Sequence, residues 1–178
     1  VSPGYQIQRA IAGDYRTTVA GSIDAELTVT GRTGMARYSA APGSSRMTVI
    51  IGSGINATTS TESNVRITGP TSLEAVADGG SFCGVPTNYK VYLVAQFDAR
   101  PTETGMWEGD RLRRAATTGS GPNSGAFFTF DVTDNTPVQY KFAISYVSIA
   151  NAQRNLAAEN PGLDFEKMRE ESVAAWKS

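Results

Sequence analysis

The chain carries 17 acidic side chains, a single cysteine and no histidine, which narrows its chemistry before any fold is considered. Without imidazole there is no Ser-His-Asp or Cys-His pair, and zinc sites built on histidine or several thiolates are excluded as well. Cys83 is the lone thiol, so it forms no disulfide within the chain and leaves the redox compartment undecided. What remains is carboxylate acid–base chemistry and calcium-type oxygen coordination.

Two stretches offer ligand-facing side chains. Phe82, Cys83 and Gly84 follow the text Asp-Gly-Gly-Ser. Glycines there let backbone approach a ligand closely, and an aromatic ring beside a small thiol suits the wall of a ligand pocket. Against this, a lone cysteine is more often an inert buried apolar group. Trp107, in the stretch TETGMWEGDR, reads as a loop residue, either an exposed stacking ring for a ligand or a half-buried anchor.

The partner classes follow from charge. Lysine plus arginine number 16, the formal net charge is −1, and like charges are not clustered, so the concentrated basic face that nucleic acid requires is missing. Arg111, Arg113 and Arg114 form the densest basic run, flanked by loop-forming residues, and read as a solvated loop. No stretch of eighteen apolar residues occurs, so no membrane-spanning helix is expected.

The elements that would position these residues are mostly strands. SIDAELTVTG alternates, with Ile23, Ala25, Leu27 and Val29 on one face and Asp24, Glu26 and Thr28 on the other, the pattern of a half-buried strand. MARYSA, RMTVIIG, GAFFTFDV and PVQYKFAISYV add further strands separated by turn text. NYKVYLVAQFD is apolar on both sides and reads as a central strand covered on both faces. The residues ATTGSGPNSG, 116–125, read as a flexible loop by composition. The expected fold is mainly β, an antiparallel sandwich over 1–147.

From Ser148 the period changes. Ser148 is a candidate N-cap for a helix bearing Ile149, Ala152, Leu156 and Ala157, ended by Asn160-Pro161-Gly162. Asp164 caps a second helix whose stripe is Phe165, Met168, Ser172, Val173 and Trp176. An exposed stripe would serve something beyond residues 148–178; a stripe lying on the sandwich would favour a self-standing module.

The segment SYVSIANAQRNLAAENPGLDFEKMREESVAAW resembles the junction between the N-terminal β-sandwich and the helical barrel of glycoside hydrolase family 92, the calcium-dependent exo-acting α-mannosidases. AELTVTGRTGMARY at 25–38, SFCG at 81–84 and VYLVAQFD at 91–98 resemble the same family in the same order. The chain departs at Ala40-Ala41, where an aromatic is usual, and at Leu163.

That resemblance implies a supersandwich-type fold, lacking its first strands, followed by two C-terminal helices, a linker toward an (α/α)6 barrel. It implies inverting hydrolysis of terminal α-mannosides of N-glycans or mannans, with calcium, general acid and general base supplied mainly from the barrel. No catalytic or metal-binding residue is therefore carried onto this sequence. Phe82, Cys83, Gly84 and Trp107 stand as substrate-facing candidates. Glu26 and Asp98 are the carboxylates that the resemblance places best, although on a strand face such residues are usually solvated. The implied partners are a mannose-containing glycan and the protein's own barrel domain, and the implied location is secreted, periplasmic or cell-surface. Asn56-Ala57-Thr58 matches an N-glycosylation acceptor and lends slight support to secretion. The other class in view is a non-catalytic carbohydrate-binding or interaction module.

Overall fold

The computed structural model describes residues 4–52, 62–79 and 89–177. Strands β1 (Tyr5–Ile11), β2 (Asp14–Val19), β3 (Ile23–Val29), β4 (Thr33–Ala40), β5 (Arg46–Gly52), β6 (Ser63–Gly69) and β7 (Ser72–Gly79) come first. They are followed by β8 (Tyr89–Phe97), β9 (Glu103–Glu108), β10 (Arg111–Arg114), β11 (Thr118–Ser120), β12 (Ser124–Asp131) and β13 (Val138–Ser145). Helices α1 (Ile149–Glu159) and α2 (Phe165–Ala175) close the chain.

The strands make two antiparallel sheets. The larger runs β1-β2-β3-β4-β13-β8-β7-β6-β11, the smaller β10-β9-β12-β5. Between them lie Met47 and Val49 of β5, Met106 of β9, Phe128 and Phe130 of β12, and Ala95 and Phe97 of β8. Alternation places each inward, because successive side chains of a strand point to opposite faces. Fully burying an aromatic or aliphatic side chain of this size contributes about 1.5–3 kcal/mol, and four rings meet here. Phe97 lies 4.8 Å from Phe128, 5.1 Å from Phe130 and 5.2 Å from Tyr140, centroid to centroid.

The helices cover the opposite face of the large sheet. Ser148 caps α1 by accepting the Asn151 N–H at 3.0 Å, and Asp164 caps α2 by accepting the Lys167 N–H at 3.0 Å. Ala152 of α1 packs on Val94 of β8 and Ala143 of β13, with Ile149 and Leu156 alongside. Strand β8 is thus apolar on both sides because both sides are covered. Phe165 and Met168 of α2 pack on Met35 of β4. The stripe therefore divides: Phe165, Met168 and Ser172 are buried, whereas Trp176 is 68% exposed.

Polar anchors fix the helices in place. Lys141 of β13 is buried and donates to the Asn160 carbonyl at 2.9 Å and the Pro161 carbonyl at 3.0 Å, where the end of α1 presents orphan acceptors. Burial lowers its ammonium below the ordinary lysine value. Asn155 donates to the Ile144 carbonyl at 2.9 Å. Arg37 clasps Glu26 through two nitrogens at 2.7 and 3.0 Å, reaches Glu166 of α2 at 2.7 Å and lies over the Phe165 ring at 4.4 Å. Arg169 of α2 continues the chain of charges to Glu166 and, at 3.2 Å, to Asp14 of β2.

Several sequence expectations change in this light. The polar face of β3 is not a solvent face: α2 lies over it, Thr28 is buried and donates to the Gly13 carbonyl at 2.8 Å. Trp107 sits on strand β9, not in a loop. Arg111–Arg114 form the edge strand β10, exposed on both faces, with Arg113 paired to Glu108 at 3.0 Å and Arg114 paired to Glu103. Within 116–125, Thr118–Ser120 pair with β6 as a short edge strand. Glycine, serine and charge concealed these strands because edge strands carry no obligatory apolar face.

Glu159, at the end of α1, ties that helix to the β3–β4 turn. It accepts from the Thr30 hydroxyl at 2.5 Å and from the Arg32 N–H at 2.9 Å, and pairs with the Arg32 guanidinium at 2.5 Å. Desolvation raises its carboxyl, but the Thr30 and Arg32 bonds outweigh it and hold the group below its ordinary value. Because the folded value is depressed, the stabilisation is present above the unfolded glutamate range, near pH ~4.3, and is lost as pH falls through the folded value. Glu159→Gln should flatten the loss of urea stability on acidification below that range while costing stability at neutral pH. Unchanged pH dependence would remove Glu159 as its source.

Candidate functional site

The candidate ligand-facing surface forms where β7 ends and β8 begins. Gly79 pairs with Tyr89 across the two strands. A Cβ on Gly79 would fall 2.2 Å from the Tyr89 ring, so the glycine is the space in which that ring lies. Tyr89 meets Tyr146 edge-on, at 6.2 Å and 61°. Tyr146 is 68% and Val147 is 70% exposed. The alternation of β13 assigns Tyr146 to the buried stripe, but the strand stops at Ser145. Its hydroxyl accepts the Val147 N–H at 2.9 Å, and the chain turns there before Ser148 starts α1. Tyr146 is tipped outward as a result.

Phe82, Cys83 and Gly84 fall between β7 and β8 and lie outside the described residues; the same holds for the Asn56 acceptor. Of the described ends that flank the Phe82–Gly84 segment, Gly79 and Tyr89, the second carries one ring of the tyrosine pair, and Tyr146 joins it from just past β13. Trp107 is not brought to this place. Its neighbour Met106 is buried between the sheets, so Trp107 faces outward from the smaller sheet, pairing across to Leu112 and Gly125. Cβ atoms on Gly52 and Gly125 would lie 2.4 and 2.7 Å from its ring; the indole is laid over these two glycines. Among the described residues its ring nitrogen is buried without a hydrogen-bond partner.

The two carboxylates singled out in the sequence are each engaged by a neighbour. Glu26 is spent on Arg37, and Asp98 accepts the Gln139 N–H at 2.9 Å and its side-chain amide at 3.2 Å. A glycosidase general acid needs a raised carboxyl. Here every resolved carboxyl shift runs the other way: Asp24, Glu108, Asp131, Asp134, Glu159 and Glu166 all sit below their ordinary values. For Asp24 the chief cause is the Thr18 hydroxyl, for Glu108 the Ser120 N–H, and for Glu166 the Arg37 guanidinium. Tyr140 is pushed far above the phenol range by burial and by Tyr38 beside it, which keeps it neutral.

The same pairing decides the metal question. Among the described residues no group of three or more Asp, Glu, Cys or His is arranged to hold an ion. Calcium requires six to eight oxygen ligands, and carboxylates already engaged by guanidinium groups do not supply them, so the described residues do not fit calcium. No described helix is long and apolar enough to cross a membrane. The Tyr89–Tyr146 rim presents two aromatic rings to one another at the start of β8 and just past the end of β13.

Comparison with known proteins identifies the family. Residues 5–145 match the family described as the glycosyl hydrolase family 92 N-terminal domain. No curated protein sequence matches the chain. Among solved structures, a family 92 α-mannosidase of Bacteroides thetaiotaomicron is similar at 25% identity and a TM-score of 0.78, over 92% of this chain and 23% of that one. The same mannosidase in complex with mannoimidazole is equally similar, at 25% identity and a TM-score of 0.78, over 92% of this chain and 22% of that one. A family 92 inverting mannosidase of the same organism has the same fold, with a TM-score of 0.82 at 20% identity, over 94% of this chain and 22% of that one. The chain therefore spans less than a quarter of the length of these relatives.

Proposed function

Because the chain belongs to glycosyl hydrolase family 92, through that family's N-terminal domain, we propose that it is the sandwich part of a longer exo-acting α-mannosidase. The reading is that the parent enzyme removes terminal α-mannose from N-glycans or mannans with inversion and with calcium. The acid, the base and the calcium ligands then belong to a C-terminal (α/α)6 barrel, and the enzyme works outside the cytoplasm. The observation that carries this reading is the family match over 5–145.

Inversion requires an acid at the leaving oxygen and a base that activates water on the opposite face, about 6.5–9.5 Å away. Such a pair placed on another domain needs a wall to orient the sugar. The Tyr89–Tyr146 rim and the Phe82–Gly84 segment are assigned that task, and α1 and α2 that of bracing the wall. The experiment compares the 178-residue chain with the longer gene product, measuring mannose release from a synthetic α-mannoside in calcium and then in a chelator. The longer protein should be active and chelator-sensitive, and the short chain inert. A longer protein inert in calcium would overturn the reading.

Burial of Phe165 and Met168 on the sandwich favours one other reading, a self-contained carbohydrate-binding module. It would be indicated by saccharide binding without hydrolysis in any longer product. Tyr146→Ala separates the wall from the scaffold. An exposed substitution of this kind should change stability by less than about 0.5 kcal/mol, yet lower kcat/KM of the longer enzyme. Unaltered kcat/KM would remove Tyr146 from the wall.

A further inference from the structure

Helices α1 and α2 cover only part of the outer face of the large sheet. Beyond the start of α1, strands β7, β6 and β11 are left as an open floor, and a groove of about 440 Å³ runs over it. That volume falls in the ~300–1,000 Å³ range of small-molecule sites. Resting on the carbohydrate-active reading above, we propose that this groove is a second saccharide-binding site, which holds neutral sugar units away from the tyrosine rim.

Charge selects the ligand class. Two guanidinium groups and two carboxylates line the groove, and they are paired with each other: Arg66 with Glu74 at 2.7 Å, and Arg113 with Glu108 at 3.0 Å. The lining is neutral in sum, so neither an anion nor a cation gains from it. A neutral ligand with many donors and acceptors does, because each planar fork presents fixed hydrogen-bonding directions to neighbouring hydroxyls. The forks are also held from behind. The other Glu74 oxygen accepts from Gln153 of α1 at 2.9 Å, and Glu108 accepts the Ser120 N–H at 3.0 Å. Asn64 and Ser120 add short polar side chains, while Val76 and Ile149 give an apolar strip for the C–H face of a pyranose.

Position separates the groove from the rim. Val76 lies three residues before Gly79 on β7, roughly 10 Å along the strand, and Ile149 follows Tyr146 by three residues. Three residues is an odd step along a strand, so Val76 belongs to the outer, helix-bearing face and Gly79 to the core-side face, and the groove and the tyrosine rim are separate surfaces near one end of the sheet. Paired charges on a strand face are commonly plain surface; here two of them are braced by a helix and by an edge strand around a concavity.

The test titrates the 178-residue chain with α-linked mannotriose and follows backbone amide shifts. Saturable shifts at Asn64, Arg66, Ser120 and Ile149 are expected. Arg66→Met, at a side chain 64% exposed and so compatible with folding, should weaken binding about ten-fold, the loss of one charge-assisted hydrogen bond. Tyr146→Ala should leave the groove shifts in place. Absence of saturable shifts, or shifts confined to Tyr89 and Tyr146, would overturn the proposal. Mannose release by the longer protein is read separately, so a failed groove and a failed mannosidase reading give different results.

Discussion

Phe97→Ala is expected to lower the stability of the chain by about 3–5 kcal/mol. The residue is buried, at the middle of the inter-sheet core, and its ring touches rings from two other strands in both sheets. Its strand is the sixth of nine, held by β13 on one side and β7 on the other, so the backbone has little freedom to close the cavity. Partial relaxation is what sets the cost within that range. A domain has about 5–15 kcal/mol in total, so the variant should unfold at markedly lower urea concentration or fail to accumulate folded. Phe97→Leu keeps much of the volume and distinguishes cavity from misfolding. A loss below about 1 kcal/mol for Phe97→Ala would mean the two sheets are not packed as described.

Gly13→Ala is the second large effect, and it acts on a helix far away in sequence. Gly13 closes the β1–β2 turn with φ +81°, and a Cβ there would lie 2.6 Å from the Ser172 hydroxyl and 2.9 Å from backbone atoms of Ser172 and Val173. The left-handed conformation alone costs a side chain about 1–2 kcal/mol; forcing α2 outward adds about 1–3 kcal/mol of overpacking. Gly43→Ala provides the control, since Gly43 has φ +85° and open space around it, leaving only the strain. The difference between the two variants in urea unfolding measures the contact with α2, and limited trypsin digestion at Lys167 and Arg169 should speed up in Gly13→Ala alone. Equal behaviour of the two variants would show that α2 does not rest on this turn.

Most strands that bury a face were legible in the sequence, although β6 and β7, which send Val65 and Leu73 into the core, were not read as strands. The segments of β3, β5, β8, β12 and β13 each carry apolar residues at period two, because one face must enter the core. Strand β1, exposed throughout, and β10, with three arginines in four residues, obey no such rule. β9 was concealed differently: Gly105 and Trp107 share its outer face, and the glycine makes room for Phe127 of the next strand. Both helix caps were legible, since Ser148 and Asp164 are the residue types that accept a first-turn N–H. The polar anchors beneath the helices were not. Lys141 and Thr28 look like solvent-facing alternates until a helix is laid over them, and only tertiary structure shows which helix that is.

What the sequence offered for the site was Phe82–Gly84 between β7 and β8, which lie outside the described residues; beside that segment, Tyr89 at the start of β8 meets Tyr146 just past β13. Tyr89 and Tyr146 escaped notice because strand alternation assigned both to ordinary faces. The signal available was Ser145, a small residue able to stop the strand with its own hydroxyl.

The clamp between Arg169 and Asp14 joins residues 155 positions apart, and Glu159 meets Arg32 across 127. These contacts cannot form until α1 and α2 have been synthesised. At ribosomal rates of about 5–20 residues per second, the β1–β4 edge waits roughly 8–30 s for α2. During that interval the Met35 face, later sealed by Phe165 and Met168, is open to water and to other nascent chains. The hazard of this arrangement therefore falls in synthesis, when the Met35 face is exposed and α2 has yet to cover it.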